Sequence, residues 1–523
     1  MSRCSSWPTV SAWKCARCRS RWSTATCRRC GSSVTAGNWC STWAASGPGR
    51  CSAAIRTDSR ARFRVAVADL DTIFKAYDIR GIVGSEIDAE ACFAIGAAFG
   101  GHGRDHGAAR IAVGRDMRPD GADLSAAFCR GATAAGVDVV DIGMCATEMV
   151  YFASGLLDIP GAMFTASHNP VGYNGIKLCG PGASPIGAGT GLEHIKARAL
   201  SGPPRAATAG AVARRDLLDR YVEHVLSFVS PGALQPLRLA VDTANGMGGL
   251  VAPAVFDRLP FTVDYLHPEL DGTFPNHPAD PLKPENLRDV QDRVEAVSAD
   301  AGLAFDGDAD RVFVVDELSR PLSGSLTAAL IATVMLERDP GATVVHNVIC
   351  SRALEEVVEE LGGRTVRTRV GHSFMKQAMA SSRAVFGGEH SGHYYFRDNY
   401  GADSAMIAVM VVLEALSRHD GNLSDLAAPL DRYAASGEIN TEVPDRSGAI
   451  GRVAAAFADC EQDRLDGLTV DCGRWWFNLR PSNTEPLLRL NLESSDPAGM
   501  AARVTEVLGL ISPEAERIGG ARP

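Results

Sequence analysis

Residues 302–315, GLAFDGDADRVFVV, set three carboxylates in a short polar break between two apolar runs. Gly302–Phe305 and Val312–Val315 read as strands, which places the break at a sheet edge, where α/β proteins bind ligands. Asp306, Asp308 and Asp310 occupy alternate positions. Alternate residues of an extended chain point the same way, so the three can converge on one cation. An all-oxygen set suits a hard ion such as Mg²⁺ and leaves a position for a phosphoryl oxygen. Gly307 and Ala309 keep the loop slim, and Arg311 follows it. Without a cation the neighbouring carboxylates would repel one another and raise their own pKa values. The plainer reading is a solvated acidic turn.

Working outward, β-rich runs alternate with amphipathic helices from Asp69 onward. Arg110–Gly114, Leu237–Asp242 and Thr343–Asn347 are expected strands. Leu124–Ala135 reads as a helix rich in small residues. Leu287, Val290, Val294 and Val297 share a helical face after Pro284. Leu354, Val357, Val358 and Leu361 share another, ended by Gly362-Gly363. Such alternation argues α/β layers. Near the C-terminus, Trp475–Leu479 and Leu487–Leu492 are strand-like, and Met500, Val504, Val507, Leu508 and Ile511 line a following helix, which predicts a smaller α+β domain. Boundaries are expected near 202–212, 319–323 and 436–445.

The chain has 523 residues, room for several domains. A net charge of −10 argues against nucleic-acid and anionic-membrane partners, so a phosphate would need a local basic pocket. The most apolar run, Ser404–Leu413, is too short to span a bilayer. Residues 1–57 differ: they hold no Asp or Glu, nine Lys or Arg, seven of the fourteen Cys and five of the seven Trp. Cys15-x-x-Cys18 and Cys27-x-x-Cys30 resemble a zinc knuckle, but the eight-residue spacer is short and no apolar period supports a core. The favoured reading of residues 1–66 is a disordered or mis-started extension without a signal peptide. Cys92, Cys129, Cys145, Cys179, Cys350, Cys460 and Cys472 read as reduced, mainly buried thiols of a cytosolic protein.

Three further loops carry polar chemistry. Thr165–Pro170, TASHNP, offers Ser167 on a loop that Pro170 keeps out of helix. A phosphoserine there would be a phosphoryl donor carrying about −1.5 to −2 charges. His168 and Lys177 are nearby in sequence to receive that charge, while the plainer reading is an Asn-Pro turn. Gly388–His393, GEHSGH, offers Glu389 and Ser391 to sugar hydroxyls. Arg480–Pro486, RPSNTEP, gathers Arg480, Ser482, Asn483 and Thr484 as donors for a phosphate dianion.

These four loops, in this order, resemble the α-D-phosphohexomutase family over about residues 69–516. FKAYDIRG (74–81), DTANGMG (242–248), DGTFPNHP (271–278) and TRVGH (368–372) fit the same resemblance. It implies three consecutive α/β domains, at 69–206, 207–319 and 320–432, and a smaller α+β domain at 433–516, around a central cleft. It implies that Ser167 is phosphorylated and meets the metal through its phosphate, with Asp306, Asp308 and Asp310 as Mg²⁺ ligands. Arg80, His168, Lys177, Arg311 and His372 would surround the reacting phosphate, with His168 or Lys177 transferring the proton. Tyr77, Glu389, Ser391 and His393 would meet the sugar, and Arg480, Ser482, Asn483 and Thr484 the distal phosphate. Some bacterial members carry a lysine where Ile349 stands, and Arg352 is the expected substitute.

GEHSGH together with TASHNP is similar to the phosphomannomutase and dual phosphomannomutase/phosphoglucomutase subgroup. The implied reaction interconverts mannose 6-phosphate and mannose 1-phosphate through a phosphoserine and a hexose 1,6-bisphosphate, which also serves as activator. The alternatives are a phosphoglucomutase or dual-specificity enzyme, a Mg²⁺-dependent sugar phosphatase with an aspartate nucleophile, and a non-catalytic sugar-phosphate-binding protein. The expected partner is a small hexose phosphate, met by a cytoplasmic monomer or small homo-oligomer.

Overall fold

The computed structural model describes residues 70–202, 206–482, 486–511 and 517–518, the last two by their backbone alone. Cys15, Cys18, Cys27 and Cys30, and the loop residues Asn483 and Thr484, lie outside the described residues.

Four sheets follow one another along the chain. The first has six strands in the order Ile79–Ile82, Tyr173–Cys179, Gly161–Phe164, Arg110–Arg115, Asp138–Met144, Val212–Arg214. Its centre is parallel, and the two strands nearest the Ile79 edge run antiparallel to their neighbours. The small residues of the expected helix at 124–135 have a packing reason. Helices Ala89–Asp105 and Gly121–Ala134 approach so closely that a Cβ on Gly131 would stand 2.0 Å from the Phe93 carbonyl oxygen, and one on Gly96 2.1 Å from that of Phe128.

The second sheet orders Val312–Asp316, Ala301–Phe305, Arg238–Asp242 and Thr262–Leu266. Ala301–Phe305 and Val312–Asp316 form an antiparallel hairpin with Phe305 opposite Val312, and its turn is the acidic loop. The expected helix after Pro284 begins as a 3₁₀ turn, Pro284–Leu287, and continues as Arg288–Val297 with Val290 and Val294 buried. The third sheet orders Arg364–Thr368, Thr343–Asn347, Phe386–Gly388, Tyr394–Phe396 and Ala402–Asp403. Helix Ala405–Arg418 is buried from Ala405 to Leu416, which explains why its sequence is apolar without a polar face. Ser404 caps it by accepting from the Ile407 amide at 3.1 Å.

The fourth sheet is antiparallel throughout, with Trp475–Pro481 and Leu487–Ser494 at its centre and helices Arg446–Ala456 and Pro497–Ile511 alongside. The stretch 436–445, expected as a boundary, lies largely inside a strand of this sheet, Ala434–Glu442. Its residues are half-buried or exposed apart from the buried Thr441, so they lack the apolar run that marks a strand in sequence. Two of the expected thiols are corrected. Cys460 and Cys472 form a disulfide that closes the hairpin of Glu461–Asp463 and Leu468–Asp471, a pairing their separation of 12 residues does not announce. Cys92, Cys129, Cys145, Cys179 and Cys350 are free and buried as expected. Among the described residues, no helix is long and apolar enough to cross a membrane.

Candidate active site

Ser167 follows strand Gly161–Phe164 in a turn and holds a left-handed φ of 49°. Its amide donates to Thr165 Oγ1 at 2.8 Å. One buried arginine, outside every motif read from the sequence, shapes this loop. Arg118 donates to the carbonyl oxygens of Ser167 (2.8 Å), Asn169 (2.6 Å), Pro170 (3.1 Å) and Tyr173 (2.9 Å). Asp116 pairs with it at 3.5 Å, and the Phe274 ring lies 5.2 Å beneath the guanidinium.

The acidic loop meets the serine loop directly. Ser167 Oγ donates to Asp306 Oδ2 at 2.7 Å, and a Cβ on Gly307 would stand 2.5 Å from the Ser167 carbonyl oxygen. Asp306, Asp308 and Asp310 are each at most 1% exposed, and one oxygen from each lies within 4.8 Å of the others. They do not converge by extended alternation, as the sequence suggested. Residues 307–310 turn, with Ala309 at a φ of 58°, because a two-strand hairpin must reverse between Phe305 and Val312. The N-terminus of helix Thr147–Leu157 braces the loop: the Thr147 amide donates to the Asp308 carbonyl at 3.0 Å and its hydroxyl to the Asp308 carboxylate. Thr147 and Arg118 are contacts that sequence reasoning missed: Thr147 stands in no motif, and the partners of Arg118 are main-chain carbonyls.

Cations ring the carboxylates. Lys177 Nζ donates to Asp308 at 2.7 Å and also to Asp310. Arg311 Nε donates to Asp306 at 2.9 Å, and its Nη2 to His168 Nδ1. Burial alone would lower the Lys177 ammonium, but Asp308 and Asp310 hold it above its usual range. Burial, reinforced by Arg311, drives His168 well below its usual value, so the imidazole is neutral. Burial pushes Asp306 up to about 7, with Asp308 and Asp310 adding to it against Arg311. Burial would raise Asp310 too, yet Lys177 holds it well below the carboxylate range. Arg80 donates to Asn169 Oδ1 at 2.8 Å, and so reaches the serine loop through a side chain of that loop.

The residues fit a bound cation. Asp308 Oδ1 and Asp310 Oδ1 are buried and have no hydrogen-bond partner, an expensive state that a hard divalent ion relieves.

The loop at 388–393 adjoins this cluster. Glu389, 2% exposed, accepts from Asn347 Nδ2 (3.1 Å), the Gly371 amide (3.3 Å) and the Tyr395 hydroxyl (2.8 Å). His393 lies between loops: its Nε2 is 3.6 Å from Asp310 and its Nδ1 3.4 Å from Glu389 and 2.9 Å from Ser391 Oγ. Tyr77 crosses from the first α/β unit to the third, donating to the Val370 carbonyl at 3.3 Å, with its ring 5.7 Å from that of His372. Among the described residues no hydrogen bond joins His372 to Ser167; burial, helped by Lys376, lowers its pKa to about 4.

At the other pole, Arg480 donates to Glu438 at 2.7 Å and faces Arg489 across the two central strands of the fourth sheet. Arg489 approaches Ser482 Oγ at 3.5 Å, and Arg446 donates to the Ser482 carbonyl at 3.2 Å. Ile349 is buried, and Arg352 is committed elsewhere: its guanidinium pairs with Asp471 at 2.7 Å and with the Gly473 carbonyl.

Comparison with known proteins gives the same outline. Four consecutive family models match: phosphoglucomutase/phosphomannomutase alpha/beta/alpha domain I at residues 71–202, domain II at 219–319, domain III at 323–433 and the C-terminal domain at 438–510. The chain is 41% identical over 454 residues to the phosphomannomutase of Salmonella montevideo, covering 84% of this chain and 99% of that one. It is 41% identical over 445 residues to the phosphohexose mutases of Xanthomonas campestris pv. campestris, covering 84% and 98%. A crystal structure of a phosphoglucomutase/phosphomannomutase family protein from Burkholderia thailandensis superposes with a TM-score of 0.77 at 34% identity, over 85% of this chain and 99% of that one. Four matched domains, in order and covering most of the chain, make it a member of the phosphoglucomutase/phosphomannomutase family, the α-D-phosphohexomutases.

Proposed function

We propose that this enzyme interconverts mannose 6-phosphate and mannose 1-phosphate, with Ser167 carrying the phosphoryl group between turnovers. The observation that supports this most is the position of Ser167 Oγ, 2.7 Å from Asp306 in a ring of three carboxylates with Lys177 and Arg311 around it. Phosphoserine gives its phosphoryl to the free sugar hydroxyl: the Oγ–P bond breaks, a sugar O–P bond forms, and the hydroxyl proton passes to a neighbouring base. The product is a hexose 1,6-bisphosphate. It turns within the cleft and returns its other phosphoryl to Ser167. Added bisphosphate restores an enzyme that has lost its phosphoryl group, hence its role as activator.

Asp306, Asp308 and Asp310 would hold Mg²⁺, which when bound neutralises the charge of the transferring phosphoryl oxygens. Lys177, Arg311 and Arg80 add fixed positive charge, and the loose transition state asks chiefly for such positioning. His168 and Lys177 remain the two candidates for proton transfer. The neutral His168 accepts from Arg311, whereas Lys177 holds its proton against Asp308 and Asp310. Glu389, Ser391, His393 and Tyr77 are assigned to the sugar, with His372 beside Tyr77. Arg480 and Ser482, with Asn483 and Thr484 on the same loop, are assigned to the phosphate that is not reacting. The expected workplace is the cytoplasm.

The test is a coupled assay with mannose 1-phosphate and glucose 1-phosphate in parallel, bisphosphate present. Turnover of mannose 1-phosphate at the higher kcat/KM is expected, and a clear glucose preference would replace this reading with phosphoglucomutase. Ser167→Ala should reduce both turnovers to background. Full mutase activity in that variant would remove Ser167 from the mechanism, and release of inorganic phosphate in place of isomer would favour the phosphatase.

A further inference from the structure

We propose that Asp242, His267 and His277 form a second metal site, suited to a borderline transition ion such as Zn²⁺ and separate from the carboxylate triad. Asp242 ends strand Arg238–Asp242, His267 follows strand Thr262–Leu266, His277 lies in the next loop, and Asp289 opens helix Arg288–Val297. One ligating atom from each of Asp242, His267 and His277 lies within 4.8 Å of the other two. His277 Nε2 is 2.9 Å from Asp242 Oδ2, His267 Nε2 is 3.0 Å from Asp289 Oδ2, and the two rings stand 5.3 Å apart. Two imidazoles and one carboxylate make a three-ligand set of the kind zinc takes with water in its fourth position, and Asp289 touches His267 from outside that set. Imidazole nitrogen selects against Mg²⁺, which distinguishes this cluster from the all-oxygen triad.

The surrounding groups are already arranged for a ligand role. His277 Nδ1 donates to the Pro278 carbonyl at 3.0 Å. A ligating histidine typically makes this bond with its remote nitrogen, which fixes the ring and turns the other nitrogen to the ion. Asp242 uses Oδ1 to accept the Ala244 amide at 2.9 Å and keeps Oδ2 for the cluster. The Thr243 hydroxyl pins the His267 carbonyl at 2.7 Å. Side-chain exposure is 1% at Asp242, 14% at His277, 19% at His267 and 50% at Asp289, so an ion has an entry side at Asp289. On binding, His277 Nε2 releases its proton to solvent and bonds the ion together with Asp242 and one ring nitrogen of His267, while the Asp242 and Asp289 carboxylates offset its charge. The consequence for the fold is local stiffening. The loop that begins at Asp242 backs the acidic hairpin, the Met247 amide donating to the Gly307 carbonyl at 2.9 Å.

The full-length protein in saturating Mg²⁺ is dialysed against buffered Zn²⁺, together with His267→Gln and His277→Gln. Any zinc held by the cysteines of residues 1–57 is common to all three. Each variant should bind one equivalent fewer, or bind that equivalent at least about tenfold more weakly. X-ray absorption at the zinc edge should assign the lost equivalent nitrogen and oxygen neighbours without sulfur. Zn²⁺ should also raise the unfolding temperature of the wild type more than that of either variant. His267 packs at the surface, so His267→Gln provides the decisive case if His277→Gln folds poorly. Unchanged zinc stoichiometry and affinity in folded His267→Gln would overturn the proposal.

Discussion

Arg480 and Arg489 stand opposite one another on paired antiparallel strands, and Glu438 accepts from both, at 2.7 Å and 3.0 Å. Like charges placed directly opposite destabilise a sheet, so their retention in a mostly buried position fits a site that receives an anion. Burial lowers the Arg480 pKa, which an arriving phosphate would reverse. Arg480→Ala should therefore raise KM for both hexose phosphates, costing about 1.5–3 kcal/mol in kcat/KM as one charged hydrogen-bonding partner is lost. Steady-state kinetics on the two substrates check this, and unchanged constants would remove Arg480 from phosphate binding. Arg480 was legible in sequence because it begins a dense run of donors. Arg489 was not, because only strand register brings it across to Arg480. Arg118 was invisible for a related reason: its four partners are main-chain carbonyls, which carry no residue identity.

Among elements, the acidic hairpin shows what pattern can and cannot tell. Its flanking apolar runs located both strands, and its three carboxylates marked the loop. The path of the loop differed, since the hairpin reversal requires a left-handed residue at Ala309 rather than an extended chain. Gly307 had been read only as slimness, whereas its missing side chain admits the Ser167 carbonyl. Gly307→Ala places a methyl 2.5 Å from that backbone oxygen and must part the two loops. The expected result is a loss of kcat of at least about tenfold with modest change in unfolding temperature, since small misplacements of reacting groups cost that much or more. Wild-type kcat in this variant would show that the loops tolerate separation. The strand at 434–442 and the Cys460–Cys472 bridge were missed because neither local period nor spacing specifies them; both depend on what lies alongside.

Across the whole molecule, the first and third α/β units meet around a buried carboxyl. Glu148, 1% exposed on the first unit's helix, accepts from Ser404, the cap of the third unit's buried helix. Burial pushes Glu148 up to about 8. An unfolded glutamate titrates near about 4.3, so the folded state binds the proton more tightly. This contribution to stability is complete below the unfolded value and is lost as pH rises through about 8. Glu148→Gln lacks the titration. Its unfolding temperature should gain on that of the wild type between about pH 5 and pH 8, followed by calorimetry. Parallel curves would mean that Glu148 ionises at its ordinary value.

The same junction has a second seat. A Cβ on Gly371 would stand 2.8 Å from the Tyr77 ring, so the aromatic edge of the first unit seats against bare backbone of the third. Beside this seat Tyr77 donates to the Val370 carbonyl at 3.3 Å, and its ring meets those of His372 and Phe374 at 5.7 and 5.9 Å. A side chain at 371 would act as a wedge: it would hold the jaws ajar, trading grip on the sugar for easier tumbling of a doubly phosphorylated guest.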